Sequence, residues 1–125
     1  MLGATSSKLI RSWANQLQLN RYQTNQLFDF FEVKEVGDFI YPGVLKSRIN
    51  VDIVDVYRLL EILKDEHFLT PLFEIYCSSC HKTTGKFITT LSEYAGPEEC
   101  EHCSNQINIF TDSIVLYRII GNFDE

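Results

Sequence analysis

The sequence predicts an α+β fold in which a helical N-terminal module packs on a C-terminal antiparallel β module. Three observations predict it. Apolar residues recur at helical spacing as far as Glu66. Beyond His67 the pattern changes to short runs rich in β-branched and aromatic residues. The four cysteines of the chain all fall in that second part, as two C-x-x-C pairs, Cys77/Cys80 and Cys100/Cys103. The expected division is therefore residues 1–70 and residues 71–125.

The elements follow in order. A first helix is expected over residues 7–17, with Leu9, Ile10, Trp13 and Leu17 on one face and Ser6 or Ser7 as its cap. A second is expected from about Arg21 to Phe31, its apolar positions being Tyr22, Leu27, Phe28, Phe30 and Phe31. Lys34 to Phe39 reads as a connection broken at Gly37. Pro42 suits the first turn of a short helix, Gly43 to Arg48, and Asn50-Val51 makes a tight turn after it. Asp52 then caps a helix from about Ile53 to Glu66, and Asp55 complements its positive end. Ile53, Val56, Tyr57, Leu60 and Leu63 should face the core. Four strand candidates come next: "LTPLFEIYC", bounded by Pro71; "GKFITTL", Gly85 to Leu91; "SIVLYRII", Ser113 to Ile120; and a weaker one, "INIF", Ile107 to Phe110.

A chain of 125 residues forms one domain or two small modules. Nine Phe, six Tyr and one Trp supply material for a packed core. The formal charge is −6 with thiols counted neutral, and four thiolates around a divalent cation add a further −2. Such a surface repels phosphate backbones and anionic lipid unless basic residues cluster. No apolar run is long enough to span a bilayer, and Lys8 and Arg11 interrupt the start, so neither a signal peptide nor a membrane helix is expected. The expectation is a cytoplasmic chain whose thiols stay reduced. Ser-His-Asp sets, glycine-rich phosphate loops and paired-carboxylate motifs are missing, which points away from an enzyme.

"CSSCH", Cys77 to His81, taken alone is a haem-attachment string. Haem ligation leaves Cys100 and Cys103 unexplained, needs an export signal, and finds no axial methionine beyond Met1. An iron centre of rubredoxin type and a pair of disulfides are further readings of the same cysteines. The spacing Cys77-x2-Cys80-x19-Cys100-x2-Cys103 fits a tetrahedral four-thiolate zinc site better, because two intervening residues let one tight turn supply adjacent corners. Cys77, Cys80, Cys100 and Cys103 are thus the candidate Zn2+ ligands. Strands lead into the first pair and follow the second, and residues 72–120 resemble a zinc ribbon. Many ribbons carry Gly directly after each pair, where this chain has His81 and Ser104. Four cysteines close the metal shell, which implies a structural rather than a catalytic ion. His81 and His102 could each replace a thiolate, but read more simply as exposed turn residues, with Glu98, Glu99 and Glu101 as a solvated acidic rim that Lys82 and Lys86 partly offset.

The order short helix, turn, capped helix, break and strand across "VLKSRINVDIVDVYRLLEILKDEHFLTPLFEIY" resembles a winged helix-turn-helix, spanning about residues 20–76 with the preceding helix. That resemblance implies DNA binding through the second helix of the motif. Its exposed face, however, carries Asp55, Arg58, Glu61, Lys64 and Asp65, with Asp52 at the leading end. Lys46, Arg48 and Arg58 make only a small basic spot, and Thr70 to Tyr76 adds Glu74 and no cation. The large subunit of general transcription factor E also sets a zinc ribbon after a winged helix, as a protein contact surface. The expected function is a non-enzymatic, zinc-binding adaptor or regulatory subunit docking onto a protein partner, in an assembly of the kind exemplified by bacterial phage-defence complexes. Trp13, Tyr22, Phe39, Tyr41 and Tyr94 are its aromatic anchor candidates. The alternative is a DNA-binding transcriptional regulator using Lys46, Arg48 and Arg58.

Overall fold

A computed structural model describes residues 3–77, 79–90, 99–100, 102–108 and 112–121. Its elements run α1 (Ala4–Gln16), α2 (Arg21–Glu32), β1 (Phe39–Ile40), α3 (Pro42–Ile49), α4 (Ile53–Asp65), β2 (Leu69–Tyr76), β3 (Thr83–Ile88) and β4 (Ser113–Ile119). The protein is α+β. Its four strands form one antiparallel sheet in the order β1-β4-β2-β3.

Local chemistry sets each helix. Gly3 caps α1 without a side-chain bond, so the helix starts before the expected cap; Ser6 is buried within it and its hydroxyl donates to the Gly3 carbonyl. A capping box opens α2: the Gln23 N–H donates to Asn20 Oδ1 at 2.8 Å, and the Asn20 N–H donates to Gln23 Oε1 at 3.0 Å. Gln23 Nε2 also donates to the Ile49 carbonyl at 2.9 Å, tying α2 to the end of α3. Pro42 stands in the first turn of α3, and Asn50 ends it in the left-handed region. Asp52 occupies the cap of α4 but makes no side-chain cap bond, leaving the Asp55 charge in the first turn to complement the dipole.

The chain forms two compact units: Met1–Thr70 with Tyr117–Glu125, and Pro71–Leu116. The chain therefore rejoins the first unit after Leu116. In that unit α2 packs on α3, α3 on α4, and α1 on α4. Trp13 is buried, and its Nε1 donates to the Asp55 carbonyl at 3.0 Å. Val56, Leu59, Leu60 and Leu63 form the inner face of α4; Leu59 adds to the expected set, while Ile53 and Tyr57 are half-buried. Tyr22 departs from expectation: it is 69% exposed, because the buried stripe of α2 is Leu27, Phe30 and Phe31.

Three strand expectations need correction. Residues 34–39 are not only a connection: Phe39 and Ile40 pair with Arg118 and Tyr117, and the Gly37 N–H donates to the Ile119 carbonyl at 2.8 Å. Pro71 lies inside β2 rather than bounding it, as a strand permits wherever the missing N–H is not required. Ile107 and Asn108 form no strand, and Ile109 and Phe110 lie outside the described residues. In the second unit β2 and β3 pair Phe73 with Ile88 and Glu74 with Phe87. The Tyr76 N–H donates to the Asp112 carbonyl at 2.9 Å, linking the far end of β2 to the approach to β4.

Candidate metal centre

β2 delivers Cys77 at its end, and the chain then turns tightly through Cys80. The second pair repeats the turn bond for bond. The Cys77 N–H donates to the Lys82 carbonyl at 2.9 Å, and the His81 N–H to the Cys77 carbonyl at 2.8 Å. The Cys100 N–H donates to the Asn105 carbonyl at 2.7 Å, and the Ser104 N–H to the Cys100 carbonyl at 2.8 Å. Closing each turn takes a left-handed residue, and His81 (φ 61) and Ser104 (φ 60) supply it. These are the two positions where a ribbon commonly has glycine.

The turns bring all four sulfurs within 4.8 Å of one another. Cys77 Sγ lies 3.5 Å from Cys103 Sγ, and Cys80 Sγ 3.5 Å from Cys100 Sγ. Metal–sulfur bonds of about 2.3 Å in a tetrahedron place sulfurs about 3.8 Å apart, so one ion of zinc size fits among these four atoms with small adjustments. Cys77 and Cys100 are buried, Cys80 is partly covered and Cys103 is exposed.

The thiols perturb one another strongly. The His102 backbone N–H, 3.4 Å from Cys100 Sγ, is the main influence on that thiol and holds it down at about 7 against desolvation. At Cys103 the Asn105 backbone N–H also acts to lower the value, but desolvation and the neighbouring Cys77, Cys100 and Cys80 outweigh it and push the thiol up to about 12. At Cys80 the Lys82 backbone acts to lower the value, but desolvation together with Cys100 and Cys77 outweighs it and raises the thiol. Four sulfurs this close cannot all ionise in the absence of a cation, so the cluster shares its protons; a divalent cation takes the place of those protons.

His81 and His102 are exposed, and the ligand-capable cluster among the described residues comprises the four cysteines. Glu99 is exposed. Glu98, Glu101, Tyr94 and the Lys86 side chain lie outside the described residues. Around the cluster Ile75, Ile88 and Ile107 are buried with Cys77 and Cys100. Asp112, not anticipated from the sequence, is buried as well. Its Oδ2 accepts the Asn108 N–H at 2.9 Å, and its own N–H donates to the Asn108 carbonyl at 2.7 Å, pinning the chain before β4. An aspartate followed by a strand-forming run was the available signal for such a pin.

The three basic candidates are not drawn together by any described interaction. Arg48 Nε donates to Gln26 Oε1 at 3.0 Å, and the guanidinium stands 5.7 Å from the Phe30 ring. Arg58 Nη1 lies 3.4 Å from Asp55 Oδ1. Lys46 is exposed on the last turn of α3. Farther along α4, Lys64 Nζ meets Glu61 Oε2 at 2.7 Å, a contact that raises the lysine above its ordinary range.

The left-handed residues give a test. His81→Gly and Ser104→Gly should each stabilise the folded unit by about 0.5–1 kcal/mol, since glycine relieves a conformation costing other residues about 1–2 kcal/mol but gives some back in unfolded-state entropy. Thermal melts read the change. A metal content unaltered by His81→Gly shows that the imidazole is no ligand; a loss of metal shows that it is one.

Comparison with protein-family models, curated proteins and solved structures finds no match to this chain.

Proposed function

We propose that the protein is a non-enzymatic docking subunit built from a winged-helix-like module and a zinc ribbon. The four-sulfur cluster is the observation that carries the zinc: soft ligands, tetrahedral spacing and a closed shell suit a structural Zn2+ held by Cys77, Cys80, Cys100 and Cys103. The strand order supports the other half. β2 leaves α4, β4 returns antiparallel beside it, and β1 lies on the far side of β4. On this reading α3 and α4 are the helix-turn-helix, β2 and β4 are the wing strands, and the ribbon is an insertion between them. It therefore belongs to the middle of the chain rather than to its C-terminal end.

A protein partner fits the charge better than nucleic acid does. The stretch 52–66 has five carboxylates against Arg58 and Lys64, and both cations already meet carboxylates on their own helix. A helix entering a groove needs cations free to approach phosphates. No helix among the described residues is long and apolar enough to cross a membrane. Reduced thiols are consistent with a cytoplasmic setting.

The purified protein should hold one zinc per chain; iron with visible charge-transfer absorption, or a haem Soret band, would refute the metal assignment. Duplex DNA should bind no tighter than the roughly 10⁻⁴ to 10⁻⁶ M of non-specific contacts at physiological salt. Tight, sequence-selective binding lost on Arg48→Glu or Arg58→Glu would make the protein a DNA-binding regulator instead.

A further inference from the structure

The outer face of α4 carries apolar side chains where a solvated helix needs none. Val54 is 57% exposed and Ile62 36% exposed. With Arg58 between them they stand at i, i+4 and i+8, on one line about 12 Å long at 1.5 Å per residue. Arg58 is 72% exposed, so its methylene stem continues the apolar line from one end to the other. The line opens into a groove of about 470 Å³ whose other wall is α1, through Trp13 and Gln16. Trp13 is fixed there by its bond to the Asp55 carbonyl. Trp13, 3% exposed, forms the floor of the groove, and Val54, Ile62 and the Arg58 stem supply the accessible apolar line, an arrangement suited to an amphipathic helix.

Charge selects the occupant. Asp65 and Glu61 border the groove, Glu61 already meeting Lys64 Nζ at 2.7 Å, and the stretch 52–66 has a surplus of three carboxylates over cations. The carbonyl end of α4 adds partial negative charge at the Ile62 end. From these observations we infer that the α1–α4 groove binds a basic amphipathic helix of a partner protein, with apolar residues seated between Val54, Ile62 and Trp13 and flanking lysines or arginines against Glu61 and Asp65. This deepens the docking reading above and rests on it.

Trp13 is the single tryptophan of the chain and lines the groove, so its emission reports occupancy. Zinc-loaded full-length protein is titrated with an amphipathic leucine–lysine peptide and, separately, with its leucine–glutamate counterpart. The first should shift Trp13 emission saturably and the second should not. Val54→Ser and Ile62→Ser, exposed positions that leave net charge unchanged, should each weaken the lysine peptide by about tenfold. Arg58→Glu should tighten it by about two- to fivefold. An emission that does not move, equal binding of both peptides, or undiminished affinity in the two serine variants overturns the inference; the last result means generic attraction to an acidic chain. A concentration-dependent dimer broken by Ile62→Glu would assign the face to a second copy, and displacement of the peptide by duplex DNA would assign it to nucleic acid. Either also overturns it. If the peptide fails while a native protein partner still assembles with the chain, the groove assignment falls and the docking function stands.

Discussion

Cys100→Ser is expected to unfold the cysteine unit and to leave the helical unit folded. The reason lies in what each unit buries. Among the described residues the buried apolar side chains of the cysteine unit are Ile75, Ile88, Ile107 and Leu116 with Cys77 and Cys100, and Phe73 and Cys80 are partly covered against the cysteine cluster. Four buried aliphatic side chains cannot offset the chain entropy of such a unit, so it needs a staple. Structural zinc supplies about 10–16 kcal/mol of apparent binding free energy in small modules. That matches or exceeds the roughly 5–15 kcal/mol stability of a whole domain. Cys100 is buried, accepts the His102 N–H, and lies 3.5 Å from Cys80 Sγ, so a serine there removes one of the four clustered sulfurs and leaves a polar group in its place. The helical unit has its own core, which includes Leu27, Phe31, Leu45, Leu60 and Leu63, and it holds the only tryptophan. The variant should therefore lose amide protection across Cys77–Ile107 while Trp13 emission stays native-like. Chelation of the metal from wild type should do the same. A variant that melts like wild type, with those amides still protected, would show that the metal is not structural.

Most of the helical part was legible because the signals are local. Pro42 at the start of α3, Asn50 at its end and Asp55 in the first turn of α4 act within a few residues of themselves, and the structure has all three in those roles. The cysteine spacing is also a local signal, since each C-x-x-C closes its own turn; what the sequence does not state is that the two turns meet, and the fold brings all four sulfurs together. The sequence also left open whether His81 and Ser104 could occupy a glycine position. Both do, in the left-handed region, because the backbone bonds of the turn require that conformation whichever side chain is present.

What was not legible depends on distant partners. Phe39-Ile40 is too short to show a period of two, and it becomes a strand only because Tyr117 and Arg118 arrive beside it. Likewise the sequence places "SIVLYRII" as a strand but cannot say that it lies between β1 and β2. That crossover returns residues after Leu116 to the helical unit. Tyr22 reads as apolar by composition, but its place on α2 is outside the stripe that Leu27, Phe30 and Phe31 define. The N-x-x-Q capping box at Asn20 and Gln23 was available in the sequence, as a variant of the commoner Ser/Thr-x-x-Glu form.

Gly121→Ala should destabilise the helical unit, and Gly43→Ala should stabilise it. Both replace glycine by alanine, so both lower the entropy of the unfolded chain by the same amount and in the same stabilising direction. They differ in what the added methyl meets. A Cβ at Gly121 would stand 2.5 Å from the His67 carbonyl oxygen and 3.0 Å from Phe68 Cα. Those are backbone atoms that cannot swing aside. His67 is held in the left-handed region at φ 66 with its N–H on the Lys64 carbonyl, and the Phe68 N–H donates to the Leu63 carbonyl. The Phe68 carbonyl in turn accepts the N–H of Ile120 at 2.9 Å and of Gly121 at 3.1 Å. Relieving the clash means breaking this junction between the exit of α4 and the end of β4. Overpacking of this kind costs about 1–3 kcal/mol, and the rigidity of the site favours the upper part of that range. A unit of this size loses about 4–8 °C of melting temperature per kcal/mol. At Gly43, inside α3, a Cβ meets nothing within 4 Å, so alanine should add up to about 1 kcal/mol through helix propensity alone. Denaturant melts of the two variants, followed by Trp13 emission, decide the matter. Gly121→Ala with a midpoint at or above wild type would mean that the chain after β4 does not approach the His67–Phe68 backbone this closely, and the packing of the end of β4 against the exit of α4 would have to be given up.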